Sequence, residues 1–321
     1  MKLFSRLMFL GALAAVPAAQ AQQPDTVRLA TLAPGALLWV HSIAEIKGFY
    51  KANNLDVKRL QVADSPALVQ AVASGSAEAG IALGDVVMRA IDQNAPVIIA
   101  GGYITKTSLR LVGAKDVKRP KDLAGSKMTA GAVRGGTTNL MLYQLKLLGV
   151  DPNGIQRVSI PNSRDRVLAL EAGQVRGAVM TPPFDIMAAR QGFPILDTYR
   201  EPYLQTPLII NTNWAAKNRG VAVRMLRASR SAAQWINDPA NRKDAVHILA
   251  KHADVSQDIA DASYQFLVVE QKAYSPDMSV PAESITNIVK IDRAVNPADH
   301  PKEESKLDLR KYYDPSYLAA K

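Results

Sequence analysis

The stretch Thr129-Ala130-Gly131-Ala132-Val133-Arg134-Gly135-Gly136-Thr137-Thr138-Asn139-Leu140 contains the pattern from which the fold can be derived. It is typical of a short strand that ends in a tight turn and continues as a helix. The two adjacent glycines permit backbone angles that residues with a Cβ atom avoid. We expect the threonine pair to cap the free amides of a helix that begins near Asn139.

This turn also has the properties of an anion-binding site. Free amides at the positive end of a helix attract negative charge. Arg134 adds a forked, permanently charged donor beside them. We therefore predict that Arg134, Gly136, Thr137 and Thr138 hold an acidic group of a ligand.

Outward from this turn, short apolar strands alternate with helices of ordinary length. Such alternation predicts right-handed βαβ units and a mainly parallel sheet, and therefore an α/β fold. Before the turn, the predicted strands are residues 26–30, 55–62, 79–83, 96–101 and 109–113. After it, the same plan repeats, with predicted strands at residues 155–160, 177–180 and 207–211.

A weak internal repeat supports two similar lobes. Residues 71–80 align with residues 169–178, and each stretch contains a helix end, a glycine that stops the helix and a strand. We predict a signal peptide at residues 1–21, a first lobe at residues 22–113 and 212–321, and a second lobe at residues 114–211. Four helices predicted between residues 221 and 295 are expected to pack against the first lobe.

The N-terminus predicts export. Lys2 and Arg6 precede an apolar run over residues 7–18, and Ala19-Gln20-Ala21 is a small-x-small cleavage site. The alternative is a membrane anchor, for which the run is short. Because the chain has no cysteine, a lipid anchor is excluded, and we expect a periplasmic protein.

Composition excludes several classes of function. Basic residues number 39 against 29 acidic ones, but they are spread along the chain, so nucleic acid is not an expected partner. The lack of cysteine excludes disulfides and thiol chemistry. No motif for a phosphate loop, a dinucleotide site, a zinc protease or a serine hydrolase is present. We expect no enzyme activity, no cofactor and no metal.

The predicted ligand site combines four helix starts, at residues 33–39, 84–85, 135–139 and 182–185. Ligands of open α/β sheets bind where parallel strands end. Trp39 and Phe184 are expected to flank the ligand, and Asp85 or Asn162 to contact its polar tail. For each residue, packing or helix capping is the structural alternative. The full candidate set is Leu38, Trp39, Gly84, Asp85, Tyr103, Arg134, Gly136, Thr137, Thr138, Asn162 and Phe184.

Four motifs, in this order and spacing, carry a resemblance to a known family: residues 46–55 (IKGFYKANNL), 73–80 (ASGSAEAG), 120–127 (PKDLAGSK) and 135–137 (GGT). The chain resembles the sulfonate/taurine/nitrate-type solute-binding proteins of ABC importers, a branch that includes binders of pyrimidine thiamine precursors. The resemblance implies a two-lobed type II periplasmic-binding fold that closes on a small molecule. It also implies a monomer that delivers its ligand to an ABC permease in the inner membrane.

The sequence is compatible with more than one class of ligand. Arg134 and the threonine pair suit an anion, whereas Asp85 opposite them does not suit a simple anion. A zwitterion, a hydroxylated molecule or a heterocycle such as a thiamine-precursor pyrimidine would reconcile the two. Rival functions are a sensor on the same fold and a pyrimidine-forming or hydrolytic enzyme. The pyrimidine synthases that share this fold use a cysteine-rich motif, which this chain cannot contain.

Overall fold

The structure, a computed structural model, describes residues 23–107, 109–133, 135–299 and 307–319. The predicted signal peptide and Arg134 therefore lie outside the described residues. The strands, in chain order, are β1 (Asp25–Thr31), β2 (Leu55–Gln61), β3 (Ala79–Ile81), β4 (Val97–Lys106), β5 (Arg110–Gly113), β6 (Lys127–Gly131), β7 (Gln156–Ser159), β8 (Gly177–Met180), β9 (Ile195–Thr198) and β10 (Pro202–Asn211).

Helices connect these strands and form most of the C-terminal third. They are α1 (Trp39–Ile46), α2 (Phe49–Ala52), α3 (Ser65–Ala73), α4 (Gly84–Asp92), α5 (Gly136–Leu147), α6 (Ser163–Glu171), α7 (Phe184–Arg190), α8 (Thr212–Lys217), α9 (Arg219–Asn237), α10 (Arg242–Ala253), α11 (Gln257–Tyr264), α12 (Ala282–Val295) and α13 (Ser316–Ala319). A π-helix (Gln265–Glu270) continues α11. Within the described ranges, no helix has both the length and the apolar character required to cross a membrane.

The strands form two sheets with the same internal arrangement. The first sheet has the order β2-β1-β3-β10-β4, and the second has the order β7-β6-β8-β5-β9. In each sheet, three neighbouring strands are parallel, and the fourth strand in the order runs antiparallel to both of its neighbours. The predicted α/β fold with two lobes is confirmed. We call the half around the first sheet the first lobe and the other half the second lobe.

In the chain, the antiparallel strand of each sheet directly follows a strand of the other sheet. β5 pairs with β8 and β9 of the second sheet, whereas β10 pairs with β3 and β4 of the first. The predicted boundaries at residues 113 and 211 place each of these strands in the opposite half, so they need correction. Both strands are mainly apolar, and an apolar composition does not indicate which sheet a strand joins.

The internal repeat appears as two matching helix-to-strand turns. Gly75 follows α3 with a φ of +79°, and Gly173 follows α6 with a φ of +66°. Both lie in the left-handed region, which a residue with a Cβ atom adopts only at a cost. The chain then enters β3 in one lobe and β8 in the other.

Buried apolar side chains join the two lobes as well as filling each of them. As predicted, α9 and α10 pack against the first lobe, in a cluster shared with β1 and α1. A second cluster crosses between the lobes and includes Ile285 and Ile288 of α12 and Leu140 and Met141 of α5. Because α12 contacts both β10 and α5, it holds the lobes together on one side.

Candidate functional site

The α5 N-terminus differs in detail from its prediction. The helix begins at Gly136 rather than near Asn139, and its N-cap position is Gly135, which has no side chain to act as a cap. The threonine pair therefore does not cap the helix. The hydroxyl of Thr138 donates instead to the carbonyl oxygen of Ala132, 2.8 Å away, while Thr137 is half-buried in the first turn.

The predicted anion site at this helix end is occupied by a carboxylate of the first lobe. Asp85 Oδ2 accepts a hydrogen bond from the backbone amide of Gly136 at 2.6 Å and another from Arg89 Nη2 at 2.8 Å. Asp85 is only 4% exposed. A carboxylate at a helix N-terminus is electrostatically favourable. We call the hydrogen bond to Gly136 the Asp85–Gly136 bridge. Together with the ion pair to Arg89, it stabilises the charged form of Asp85 without a ligand.

Two of the predicted site glycines are required for close packing. A Cβ atom on Gly136 would lie 2.0 Å from Asp85 Cγ, and one on Gly84 would lie 2.2 Å from the carbonyl oxygen of Leu204. Real Cβ atoms do not approach other atoms so closely, so both positions depend on glycine. Gly84 packs against β10 and thereby sets the position of Asp85.

Three other candidates lie in the core of the first lobe, which corrects their predicted role. Leu38 is 1% exposed and Trp39 is fully buried. Trp39 Nε1 donates to the carbonyl oxygen of Ala245 at 3.0 Å, and the hydroxyl of Tyr103 donates to Ser229 Oγ at 2.8 Å. The partners belong to α9 and α10, which cover α1 from a distant part of the chain.

Asn162 has the capping role that was the structural alternative to its predicted contact with a ligand. It is the N-cap of α6, where its side-chain oxygen accepts from the amide of Asp165 at 2.9 Å. Its Nδ2 donates to Asp165 Oδ2 at 2.5 Å. Because capping uses both ends of the amide, Asn162 stabilises the helix start.

Phe184 lies where the lobes meet. The amide of Ala36 in the first lobe donates to the carbonyl oxygen of Pro182 at 3.4 Å. A Cβ atom on Gly35 would contact the Phe184 ring at 3.6 Å. The Arg164 guanidinium carbon lies 5.2 Å from the centre of the same ring. The first and fourth predicted helix starts therefore meet at this seam.

A buried ion pair lies next to this seam and is absent from the sequence-based candidates. Arg110 Nη1 lies 3.2 Å from Asp185 Oδ2, and Asp185 is fully buried. Among the residues that the structure describes, Arg110 Nε has no hydrogen-bond partner. Burial raises the pKa of Asp185 to about 7 and lowers the pKa of Arg110. The available sequence signal was an arginine at the start of an otherwise apolar strand.

A second arginine that the sequence analysis missed is buried at the same end of the second sheet. Arg166 donates to the carbonyl oxygens of Ile160, Pro161 and Val179 at 2.8, 2.6 and 2.7 Å. Burial lowers its pKa to about 10, so it stays charged at neutral pH. The second lobe therefore presents buried positive charge where β7 and β8 end.

A cavity of about 320 Å³ lies beside the Asp85–Gly136 bridge rather than between Trp39 and Phe184. It runs along α4 and α12 and includes side chains from both lobes. Its lining includes Asp85, Met88, Arg89, Gly136, Asn139 and Asp292. Within the described part of the chain, no group of three or more histidine, aspartate or glutamate residues is arranged to hold a metal ion.

Solved structures share this architecture across most of the chain. A protein from Bordetella bronchiseptica RB50 superimposes with a TM-score of 0.79 at 20% identity, covering 92% of this chain and 96% of that one. The periplasmic nitrate-binding protein NrtA from Synechocystis PCC 6803 has a TM-score of 0.75 at 16% identity and coverages of 92% and 88%. The periplasmic aliphatic sulphonate binding protein SsuA from Escherichia coli has a TM-score of 0.69 at 18% identity and coverages of 92% and 100%.

Sequence comparison identifies the family directly. No curated protein sequence matches the chain significantly. A family profile, described as NMT1/THI5 like, matches residues 41–242. The match covers more than half of the 321 residues and includes strands and helices of both lobes. This chain therefore belongs to the NMT1/THI5-like family.

Proposed function

We propose that this protein is an exported solute-binding receptor of an ABC-type importer. It would capture a small anionic or zwitterionic organic molecule, such as a sulfonate or a taurine-like compound, between its lobes. The observation that carries the proposal is the architecture: two sheets with matching strand orders, connected by two crossing segments. The turns that follow their strands meet, Asp85 with Gly136 and Ala36 with Pro182. Relatives of the same fold include proteins named for binding sulphonate and nitrate.

The charge at the second-lobe strand ends supports an acidic ligand group. Arg166 is buried there, Arg110 is half-buried, and Arg164 lies over Phe184. Arg134, which the sequence analysis predicted as a donor to the acidic group, remains part of the proposed site. Because the Asp85–Gly136 bridge already occupies the α5 N-terminus, the ligand either displaces Asp85 or binds on the side of these arginines.

The contacts between the lobes support a receptor that opens and closes. At the seam, Arg164 Nη2 donates to the carbonyl oxygen of Ala253 at 2.5 Å, and the Ala36–Pro182 bond is long at 3.4 Å. Few direct bonds would therefore have to break for the seam to open. A ligand that contacts both lobes stabilises the closed form, because those contacts exist only there. The permease would bind the closed form of the receptor.

A thermal-shift screen of purified protein with sulfonates, carboxylates and pyrimidines tests the proposal. We expect stabilisation by a sulfonate or a zwitterion and no product by mass spectrometry after prolonged incubation. A pyrimidine hit would select the alternative ligand class. A screen without any hit, or the formation of product, would contradict a non-catalytic receptor for these molecules.

Arg134→Ala tests the acidic-group assignment separately. If Arg134 makes a charge-assisted hydrogen bond to the ligand, its removal weakens binding by about 1.5–3 kcal/mol. Titration calorimetry with the best hit measures the difference. Unchanged affinity would remove Arg134 from the site while leaving the receptor function intact.

Export has its own test. Expression of the full chain in a Gram-negative host, followed by fractionation, should place the protein in the periplasm with an N-terminus near Gln22. Recovery of the uncleaved chain from the membrane fraction would support the membrane-anchor alternative.

A further inference from the structure

We propose that the second lobe carries a surface that binds anionic lipid membranes. The surface consists of five exposed cationic side chains, which we call the basic pole: Lys115, Lys118, Lys121, Lys127 and Arg157. The inference goes beyond solute binding. It rests on the proposed function in one respect, because an exported receptor of an importer works beside a membrane.

The first argument is that the fold gathers cations which the sequence spreads over residues 115–157. Lys127 begins β6 and is paired with Gln156, the chain neighbour of Arg157, in β7. The amide of Arg176 donates to the carbonyl oxygen of Lys127 at 2.9 Å, and the amide of Ala114 donates to that of Arg176 at 2.8 Å. The segments that precede β6, β7 and β8 therefore meet at one end of the second sheet.

The end of α5 reaches the same place. A Cβ atom on Gly149, which follows α5, would lie 3.6 Å from Lys121 Cε. The helices α5, α6 and α7 begin at the opposite end of the sheet, after β6, β7 and β8. Because the lobes meet at those helix starts, the basic pole faces away from the cleft, and membrane contact leaves the cleft accessible.

The second argument is that carboxylates of the protein do not neutralise the basic pole. Asp122 is paired with Arg119 at 3.1 Å, and Asp116 is paired with Arg176 at 2.9 Å. In the part of the chain that the structure describes, none of the five cations of the basic pole forms an ion pair. Two further acids are exposed near this end of the lobe, Asp151 and Glu171. Five cations against two acids leave the surface positive.

The third argument is the distribution of charge over the whole chain. Residues 108–199 contain 13 basic and 7 acidic residues, whereas residues 22–107 and 200–321 together contain 24 and 22. The second lobe therefore carries most of the positive charge of the exported protein. At the corresponding end of the first sheet, Arg28 is paired with Glu78, and Arg224 is paired with Asp25. The excess of unpaired cations is a property of the second lobe.

A lipid surface suits the basic pole better than a small anion does. The five side chains are exposed rather than arranged around a cavity, so they can approach many headgroups of a charged surface at once. Leu147, at the end of α5, is 64% exposed and follows Lys146. An apolar side chain among cations is typical of proteins that bind at the surface of a bilayer.

Sedimentation with lipid vesicles tests the inference. The exported protein is mixed with vesicles of phosphatidylcholine, or of phosphatidylcholine and phosphatidylglycerol in equal parts, after mass spectrometry has shown that residues 1–21 are absent. At about 20 mM NaCl, partitioning onto the anionic vesicles should exceed that onto the neutral ones by about tenfold. This preference should disappear at about 500 mM NaCl, where ions screen the charges.

Two matched triple variants locate the interaction. Lys118→Glu/Lys121→Glu/Lys127→Glu reverses three charges of the basic pole and should lower partitioning onto anionic vesicles by about tenfold or more. The control, Lys51→Glu/Lys243→Glu/Lys290→Glu, reverses three exposed lysines outside the basic pole. Because both variants change the net charge equally, the control should retain most of the binding. Circular dichroism checks that both variants are folded.

Several outcomes would overturn the inference: equal binding to neutral and anionic vesicles, no binding of the parent to either, or the same loss of binding in both triple variants. The last would assign the attraction to net charge alone. Binding that requires a permease in the vesicles would also overturn it, because the partner would then be a protein.

Solute binding distinguishes this inference from the proposed function. Because the basic pole faces away from the cleft, its triple variant should show the same thermal-shift response to solutes as the parent. Loss of vesicle binding alone leaves the receptor function intact. Vesicle binding without any solute hit would contradict the receptor function and leave the membrane surface in place.

Discussion

Asp85 and Asp185 show how the surroundings of a residue decide its use. Both follow a buried strand and lie in the first turn of a helix. Asp85 accepts from the amide of Gly136 in the other lobe, whereas Asp185 pairs with Arg110 of its own lobe at 3.2 Å. The first carboxylate therefore links the two lobes, whereas the second forms an ion pair within one lobe.

Removal of the Asp85 carboxylate should weaken the link between the lobes. Asp85→Ala deprives the α5 N-terminus of its acceptor, so we expect a loss of about 1–2 kcal/mol in the free energy of unfolding. Asp85→Asn keeps an acceptor and should cost less. Urea unfolding measures both variants.

A matched control separates this link from ordinary capping. Asp64 caps α3 within the first lobe by accepting from the amide of Ala67 at 2.9 Å. Asp64→Ala should lose similar stability without changing the distance between the lobes. If Asp85→Ala also leaves the scattering radius of the protein unchanged, the bridge does not govern closure.

Acid should destabilise the protein through His41. Its Nδ1 lies 3.0 Å from the Tyr50 hydroxyl, and burial lowers its pKa to about 3, below the usual 6.5. Between these values the unfolded chain binds a proton that the folded protein does not. Stability is therefore lost as pH falls from about 6.5 towards 3, by at most ~5 kcal/mol.

Comparison with His41→Gln measures this effect, by urea unfolding from pH 4 to 7. Asp185 has the opposite effect, because its folded pKa of about 7 lies above the usual value for aspartate and its contribution grows as pH falls. The difference between the parent and the variant therefore isolates His41. Equal pH slopes for the two proteins would show that His41 is protonated in the folded state.

At the scale of elements, a single glutamine joins the two segments that cross between the lobes. Gln271 follows the π-helix, and its Nε2 donates to the carbonyl oxygens of Thr107 and Tyr199 at 2.9 and 3.2 Å. Thr107 begins the segment after β4, and Tyr199 begins the segment after β9. Gln271 therefore holds the two crossing segments together.

Gln271→Leu should loosen both crossing segments. Two buried carbonyl oxygens lose their donor, which costs about 1–3 kcal/mol in the free energy of unfolding. Hydrogen exchange should accelerate in peptides that contain Thr107 or Tyr199. Gln257→Leu, which changes an exposed glutamine of α11, serves as the control. Equal exchange in the two variants would contradict a hinge role for Gln271.

At the scale of the whole molecule, the two sides of the lobe interface are held differently. One side contains a continuous apolar cluster between α12 and α5, whereas the seam near Pro182 has few direct bonds. Opening therefore favours rotation about the α12 side. Asp85 and Gly136 lie close together near α12. A larger side chain at this contact should therefore change the distance between the lobes.

Gly136→Ala should push the lobes apart. The added methyl group would overlap with Asp85, whose Cγ would be 2.0 Å away. We expect a larger radius of gyration by X-ray scattering and a loss of about 1–3 kcal/mol in stability. Gly220→Ala adds a methyl group to α9 where nothing lies within 4 Å, and it should leave the radius unchanged. The same radius in both variants would rule out a steric role for Gly136 in closure.

The sequence by itself determined the alternation of strands and helices, the two matching lobes, the helix stops at Gly75 and Gly173 and the glycine turn before α5. These features depend on neighbours a few residues apart, so periodicity and turn chemistry encode them. Only the tertiary structure decided that Asp85 meets a helix 51 residues away and that Trp39 bonds to a carbonyl 206 residues away. It likewise decided the sheets that β5 and β10 join. Such pairings depend on how whole elements pack, and no local pattern records them.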